Sequence, residues 1–166
     1  MTVSDNRTNT DWNEEMNAVG AAAVSVIGQA CGVELTPTDE ENMWREGAVI
    51  GVISIMGDVD WSVFLGLPRD TAEILTEKFA GFEIPFDSED MGDAVGELTN
   101  ILAGNVKSRL AEKGVRTNIS LPNVLRAENL QVLVQRSACL IKSCFTSEAG
   151  KLWTGVVFLR DGGFVA

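Results

Sequence analysis

DAVGELTNILAGNVKSRL, residues 93–110, decides how the chain is read. At about 100° per residue, Met91, Val95, Leu98, Leu102 and Val106 fall on one side of a helix. Asp93, Glu97, Asn100, Gly104 and Lys107 fall on the other. The first set predicts a buried face. The second is a polar stripe carrying a carboxylate, an amide three residues on, and a glycine notch, with a further glycine at Gly96. A solvated face is the ordinary explanation of a surface Glu. Asn, however, is a poor helix-interior residue, because its amide competes for backbone hydrogen bonds. Each glycine weakens a helix by about 1 kcal/mol relative to alanine. Such costs on an amphipathic helix point to a surface that something approaches closely.

Outward from this stretch, Asp87 or Ser88 caps a long helix over 89–113, closed by Gly114. Before it, AVIGVISIMGDVDWSVFLGLP (48–68) predicts a β-hairpin. Its strands are 48–56 and 59–66, with a turn at Gly57-Asp58. Pro68 opens a helix that runs through Ala80, with Asp70 and Glu73 early and Gly81 as its stop. At the start of the chain, residues 1–10 predict a disordered polar tail. Asp11 reads as an N-cap, and the helix after it runs to about 29–31 and stops at Gly32. Its small apolar centre, 18–27, predicts packing on most sides. Residues 33–47, with Pro37 and the acidic run 39–41, form a connection without readable function.

After the long helix come a strand at 115–121, Pro122 as a breaker, and an unassigned piece at 123–130. Strands at 131–145 and 152–160 follow, joined by TSEAGK. The order predicts an α+β fold, an antiparallel sheet with long helices packed on it, as a single domain over 11–166. The chain also repeats itself. EEMNAVG (14–20) resembles EDMGDAVG (89–96), and Trp61 and Trp153 each lead a strand. Two half-repeats, 11–81 and 87–162, follow from this. Aligned on Ala-Val-Gly, Glu97 corresponds to Ala21 and Asn100 to Val24. The pair is therefore not something the fold requires.

Composition narrows the chemistry. The 166 residues suffice for a sizeable core. A net charge of −11 argues against nucleic acid or an anionic membrane as partner and suits one presenting a basic patch. There is no histidine, which removes histidine-based acid–base and metal schemes, and no metal site is expected. The three cysteines form no CxxC pair and read as reduced thiols of a cytoplasmic protein. No apolar run spans a membrane and no signal peptide is read at the N-terminus. The four tryptophans read as core or hairpin packing.

An amide offers both a donor and an acceptor. It can hold a water in line with a phosphorus atom without taking a proton, as a glutamine does in GTPases. Phosphoryl hydrolysis through a loose transition state needs positioning and charge neutralisation more than a strong base. A carboxylate one turn away suits a partner's lysine. No GxxxxGK[ST] loop is present, so any metal and most positive charge must come from a partner.

GELTNILAGNVKSRL (96–110), followed by ISLPNVL (119–125), resembles the CheX-type chemotaxis phosphatases of the CheC/CheX/FliY family. Asp93, Glu97 and Asn100 match the acidic-or-Ser, Glu, Asn pattern; Gly104-Asn105, Lys107-Ser108 and Ser120-Leu121-Pro122 match too. DWSVFLGLPRDTA (60–72) is similar to the family's first hairpin. The resemblance covers about 48–125; Arg126-Ala127 departs from it where a Gly is usual, which puts the turn there in question. It implies a pseudo-symmetric duplication of the single-site type, and hydrolysis of the aspartyl phosphate of a CheY-like response regulator. Asn100 would orient the attacking water, and Glu97 would pair with the regulator's lysine. Gly96 and Gly104 would allow close approach, with Asp93 and Lys107 as candidate docking contacts. Magnesium would belong to the regulator, and some members form homodimers. The rival expectation is a module that binds a regulator without hydrolysis. A small-molecule enzyme has few catalytic groups available here.

Overall fold

In the computed structural model, residues 9–39, 47–128 and 133–159 are described, with side chains from residue 17 onward. Helix α1 (Asn9–Cys31) leads to a short strand β1 (Thr36–Thr38). The hairpin β2 (Ala48–Gly57) and β3 (Trp61–Pro68) follows, then helices α2 (Arg69–Ala80) and α3 (Glu89–Glu112). Strands β4 (Thr117–Ile119), β5 (Asn123–Ala127), β6 (Ala138–Ser147) and β7 (Gly150–Leu159) complete the described chain.

Local chemistry sets the helix ends. Gly81 ends α2 in the left-handed region (φ 82°), its N–H bonded to the Glu77 carbonyl. Of the two candidate caps of α3, it is Ser88 that acts: its Oγ accepts from the Met91 N–H at 3.3 Å. Glu89 and Asp90 in the first turn and Arg109 in the last complement the helix dipole. Helix α1 begins at Asn9, so Asp11 lies inside it rather than at its cap. Of the expected tail, residues 9 and 10 are helical and 1–8 lie outside the described residues.

All strand pairs are antiparallel, in the order β1-β6-β7-β3-β2-β4, with β5 also on β2. The order is mirrored. The early strand β1 flanks the late hairpin β6–β7, and the late strands β4 and β5 flank the early hairpin β2–β3. The two hairpins meet at the β3–β7 pair, Phe64 opposite Gly155. A duplication whose edge strands have been exchanged gives this order, with α1 and α3 in matching places.

Alternation along the strands splits the sheet into two faces. Val49, Ile53, Ile55, Val63, Leu65, Leu67, Leu152 and Val156 form one core with the buried residues of all three helices. The alternate residues Ile50, Cys144 and Trp153 form a smaller cluster on the other face. Trp61 and Trp153 are both buried, one on each face; Trp12 and Trp44 fall outside the described side chains.

Several expectations need correction. The 33–47 connection contains β1, paired with β6 from Thr36↔Thr146 to Thr38↔Cys144. Residues 123–127 are a strand, and Arg126-Ala127 are paired with Val49 and Ala48 rather than in a turn. The strand expected at 115–121 is only β4, and β6 starts at Ala138, since 133–137 are not strand. Helix α1 packs on one side: Val19, Ala22, Ala23, Val26 and Ile27 are buried, whereas Ala21 and Val24 face out.

Candidate functional site

The helix face read from the sequence is the face the fold leaves open. Met91, Val95, Leu98, Leu102 and Val106 are buried at no more than 1% exposure. Asp93 and Glu97 are exposed; Asn100, Gly104 and Lys107 are half-buried; Gly96 is buried. Residues four apart stack along a helix, so the face has two rows: Asp93, Glu97 and Ile101, and beside them Gly96, Asn100 and Gly104.

What presses α3 into place lies opposite Glu97. Thr99 is fully buried, its hydroxyl donating to the Val95 carbonyl at 2.7 Å. It faces Gly51 of β2, where a Cβ would collide with the Thr99 side chain. A glycine in the middle of a strand thus sets how closely the helix sits on the sheet.

The N-terminal end of α3 is tied down separately. Phe86, 2% exposed, has the Arg69 guanidinium 4.0 Å from its ring centroid and Arg126 at 5.9 Å. Arg126 donates to the carbonyls of Phe86 (2.7 Å) and Ser88 (3.0 Å), and the Phe86 N–H donates to Glu73. Arg69 bridges Asp87 and Glu128, each at 3.3 Å. Desolvation acts to lower the Arg69 pKa; the hydrogen bond and charge of Asp87, with Glu128 and Glu73, more than reverse this. Arg126, a departure from the family pattern in sequence, is therefore a tether for the helix that carries the site.

Along its flank, α3 is followed by the β4–β5 segment. A Cβ at Gly96 would lie 3.5 Å from Val124 Cγ2 and 3.7 Å from Pro122 Cγ, an ordinary contact. At Gly104 it would meet nothing within 4 Å. Neither Glu97 nor Asn100 hydrogen-bonds or ion-pairs with another described residue. The fold thus presents a carboxylate and an amide, one turn apart and uncommitted, beside an open notch.

The other long helix offers the contrast. Ala21 and Val24 line a cleft of about 650 Å³ with Asn17, Thr38, Lys142 and Ser143. Its lining holds hydroxyls and the Asp39 carboxylate, and Ala21 and Val24 stand where α3 has Glu97 and Asn100.

Among the described residues, no three carboxylate or thiol groups gather as a metal site. None of the three cysteines is in a disulfide, and burial pushes the Cys31 thiol up to about 11, against the opposing charge of Lys78, so it stays protonated near neutral pH. No described helix is long and apolar enough to cross a membrane.

Local helical spacing placed Glu97, Asn100 and Gly104 on the side of α3 that the structure leaves open. It did not find Thr99 and Gly51 as a pair, nor the Phe86–Arg126 tether. Register and tertiary contact create both. Leu121 was visible only as the middle of a motif.

Known proteins agree with this architecture. The CheY-P phosphatase CheX of Thermotoga maritima is 24% identical over 121 residues, 70% of this chain and 78% of that protein. The crystal structure of the chemotaxis protein CheX from Vibrio vulnificus superposes with a TM-score of 0.77 at 24% identity, covering 87% of this chain and 96% of that one. The CheX of a CheX–CheY–BeF3–Mg2+ complex from Borrelia burgdorferi gives 0.68 at 21% identity, over 87% and 97%. The family model described as chemotaxis phosphatase CheX matches residues 49–145, a span that holds the hairpin, all of α3 and the flanking β4–β5 segment, and this chain belongs to that family.

Proposed function

We propose that this chain accelerates hydrolysis of the aspartyl phosphate of a CheY-like response regulator, with Asn100 and Glu97 as the working pair. The observation that carries the assignment of residues is the uncommitted Glu97–Asn100 face of α3 beside the open Gly104.

The reaction needs little from the phosphatase. A water oxygen attacks phosphorus in line, the bond from phosphorus to the aspartyl oxygen breaks, the aspartate leaves as a carboxylate, and both protons of the water end on inorganic phosphate. The Asn100 carboxamide accepts a hydrogen bond from that water or donates one to it, holding it on the line of attack. It neither gains nor loses a proton. Glu97 meets the regulator's lysine, a charge-assisted contact that fixes how the helix enters. Gly104 leaves room for the regulator's backbone. Asp93 and Lys107 flank the pair as docking contacts. The regulator's magnesium ion neutralises phosphate charge, so the phosphatase supplies no cation at the reacting centre. The setting is the cytoplasm, where the regulator works.

The test is the phosphate half-life of the cognate regulator with and without the purified protein. Acceleration by the wild type, lost in Asn100→Ala with the fold intact, is the expected outcome. Full activity in Asn100→Ala would sink the mechanism. An unchanged half-life alongside measurable binding would replace the phosphatase by a regulator-binding module.

A further inference from the structure

Leu121 is 85% exposed, the largest exposure of any big apolar side chain among the described residues. Single exposed leucines are common and need no explanation. This one differs in how it is held and where it stands.

Its backbone is fixed on both sides. The Ser120 N–H donates to the Ser54 carbonyl at 2.9 Å, and the Ser54 N–H donates to Ser120 Oγ at 3.0 Å. The same hydroxyl donates to the Leu121 carbonyl at 2.8 Å. On the other side Pro122, with its own φ restricted, packs beside Gly96. Leu121 thus projects from a pinned kink between β4 and β5. Both of those strands are paired with β2, Ile55↔Ile119 on one side and Val52↔Asn123 on the other.

Its level along α3 follows from the chain path. The segment runs back along the helix from Val115, whose N–H bonds to the Leu110 carbonyl, to Arg126, which reaches the Ser88 carbonyl. The Ser120–Pro122 kink therefore lies level with the middle of the helix. There Gly96, beside Pro122 and Val124, shares its row of the helix with the half-buried Asn100.

We infer that Leu121 is a docking and specificity residue for the response regulator, entering an apolar hollow beside the regulator's phosphorylation site. This rests on the function proposed above, since the occupant is the partner that Glu97 and Asn100 engage. The surface is continuous with theirs through Pro122 and Gly96. The division of work is physical. Glu97 contributes a salt-sensitive contact, whereas a buried leucine contributes a salt-insensitive one. In a chain with a net charge of −11, an apolar anchor also adds affinity without further carboxylates that would repel acidic parts of the regulator.

The experiment is steady-state dephosphorylation of the cognate regulator by the wild type, Leu121→Asp and Leu121→Met, with thermal melts of each. Leu121→Asp raises the apparent KM about tenfold, leaves kcat within twofold and leaves Tm unchanged. Leu121→Met keeps the wild-type KM, and a neutral Leu121→Ser, assayed alongside, raises KM by a comparable factor that persists at high salt; a Leu121→Ser protein with wild-type KM overturns the inference. A Leu121→Asp protein with wild-type KM overturns the inference while leaving the proposed function standing. So does a fall in kcat at unchanged KM. Loss of self-association in Leu121→Asp without any change in KM would assign the leucine to a second copy of the chain, and also overturns it. A wild type that does not shorten the phosphate half-life defeats the proposed function instead. Regulator binding then decides the leucine: an unchanged Kd in Leu121→Asp overturns it, and a tenfold weaker one supports it.

Discussion

Gly20 on α1 and Gly96 on α3 occupy matching places when the two helices are aligned on Ala-Val-Gly, and eight residues on Gly28 matches Gly104. What surrounds them differs. A Cβ at Gly20 would press on Ser143 Oγ at 3.1 Å, so the chain's own sheet uses that glycine. At Gly96 the contacts are ordinary, and at Gly104 there are none. Between the glycines, α1 carries Ala21 and Val24 where α3 carries Glu97 and Asn100. The two helices share a backbone plan and a glycine spacing. One face closes onto a polar cleft of its own; the other keeps its opening for something outside. The comparison teaches that the fold supplies the helix platform twice and the Glu97–Asn100 pair proposed to act only on the second.

Breaking the chemistry gives the largest effect. Asn100→Ala is expected to lower regulator dephosphorylation at saturation about 100-fold, because a mispositioned water loses the in-line geometry. Its melting temperature stays at the wild-type value. Placing the pair on the other helix tests the comparison itself. Ala21→Glu with Val24→Asn, added to Asn100→Ala, is expected to recover nothing in the same assay, since Ser143 and Thr38 line that face in place of the Leu121–Pro122 kink. Recovery above a few per cent would show that two side chains on a helix suffice and that their surroundings are incidental.

Next comes docking. Glu97→Ala is expected to raise the apparent KM about tenfold with kcat within a few-fold, an effect that shrinks as salt is added. An unchanged KM would remove Glu97 from lysine pairing. The smallest effect separates the glycines. Gly104→Ala meets no atom of the chain and is expected to stabilise the fold by up to about 1 kcal/mol in urea, while raising KM several-fold. A stabilised protein with normal KM would mean that nothing approaches the notch.

How much of this was readable in advance depends on distance along the chain. The ends of α2 and α3, the β2–β3 hairpin and the Glu97–Asn100 face are set by residues within a few positions of one another, and they were legible. Thr36–Thr38 was not, since a three-residue edge strand containing Pro37 has no pattern of its own and exists through its pairing with β6. Residues 123–127 stood behind Pro122, which reads as a stop. In the structure it ends a kink, and the strand resumes on the same neighbour. Arg126 counted against the family pattern, yet it ties the carbonyls of Phe86 and Ser88, residues 40 and 38 positions away. The exposure of Leu121 depends on hydrogen bonds to Ser54, 66 positions from Ser120, and no local rule reports it.

The exchange of edge strands has a consequence for how this molecule can change over time. Gly51, beneath Thr99, and Ser54, beneath Ser120, both belong to β2, a strand of the early hairpin. The part of the chain without the Glu–Asn pair therefore lays the floor on which that pair rests. It is not a relic free to drift. A change at Gly51 reaches α3 directly through Thr99, and a chain cut between the two parts would leave each without an edge the other provides. The helix face proposed to act and the strand that seats it come from different halves, so a change in either bears on both.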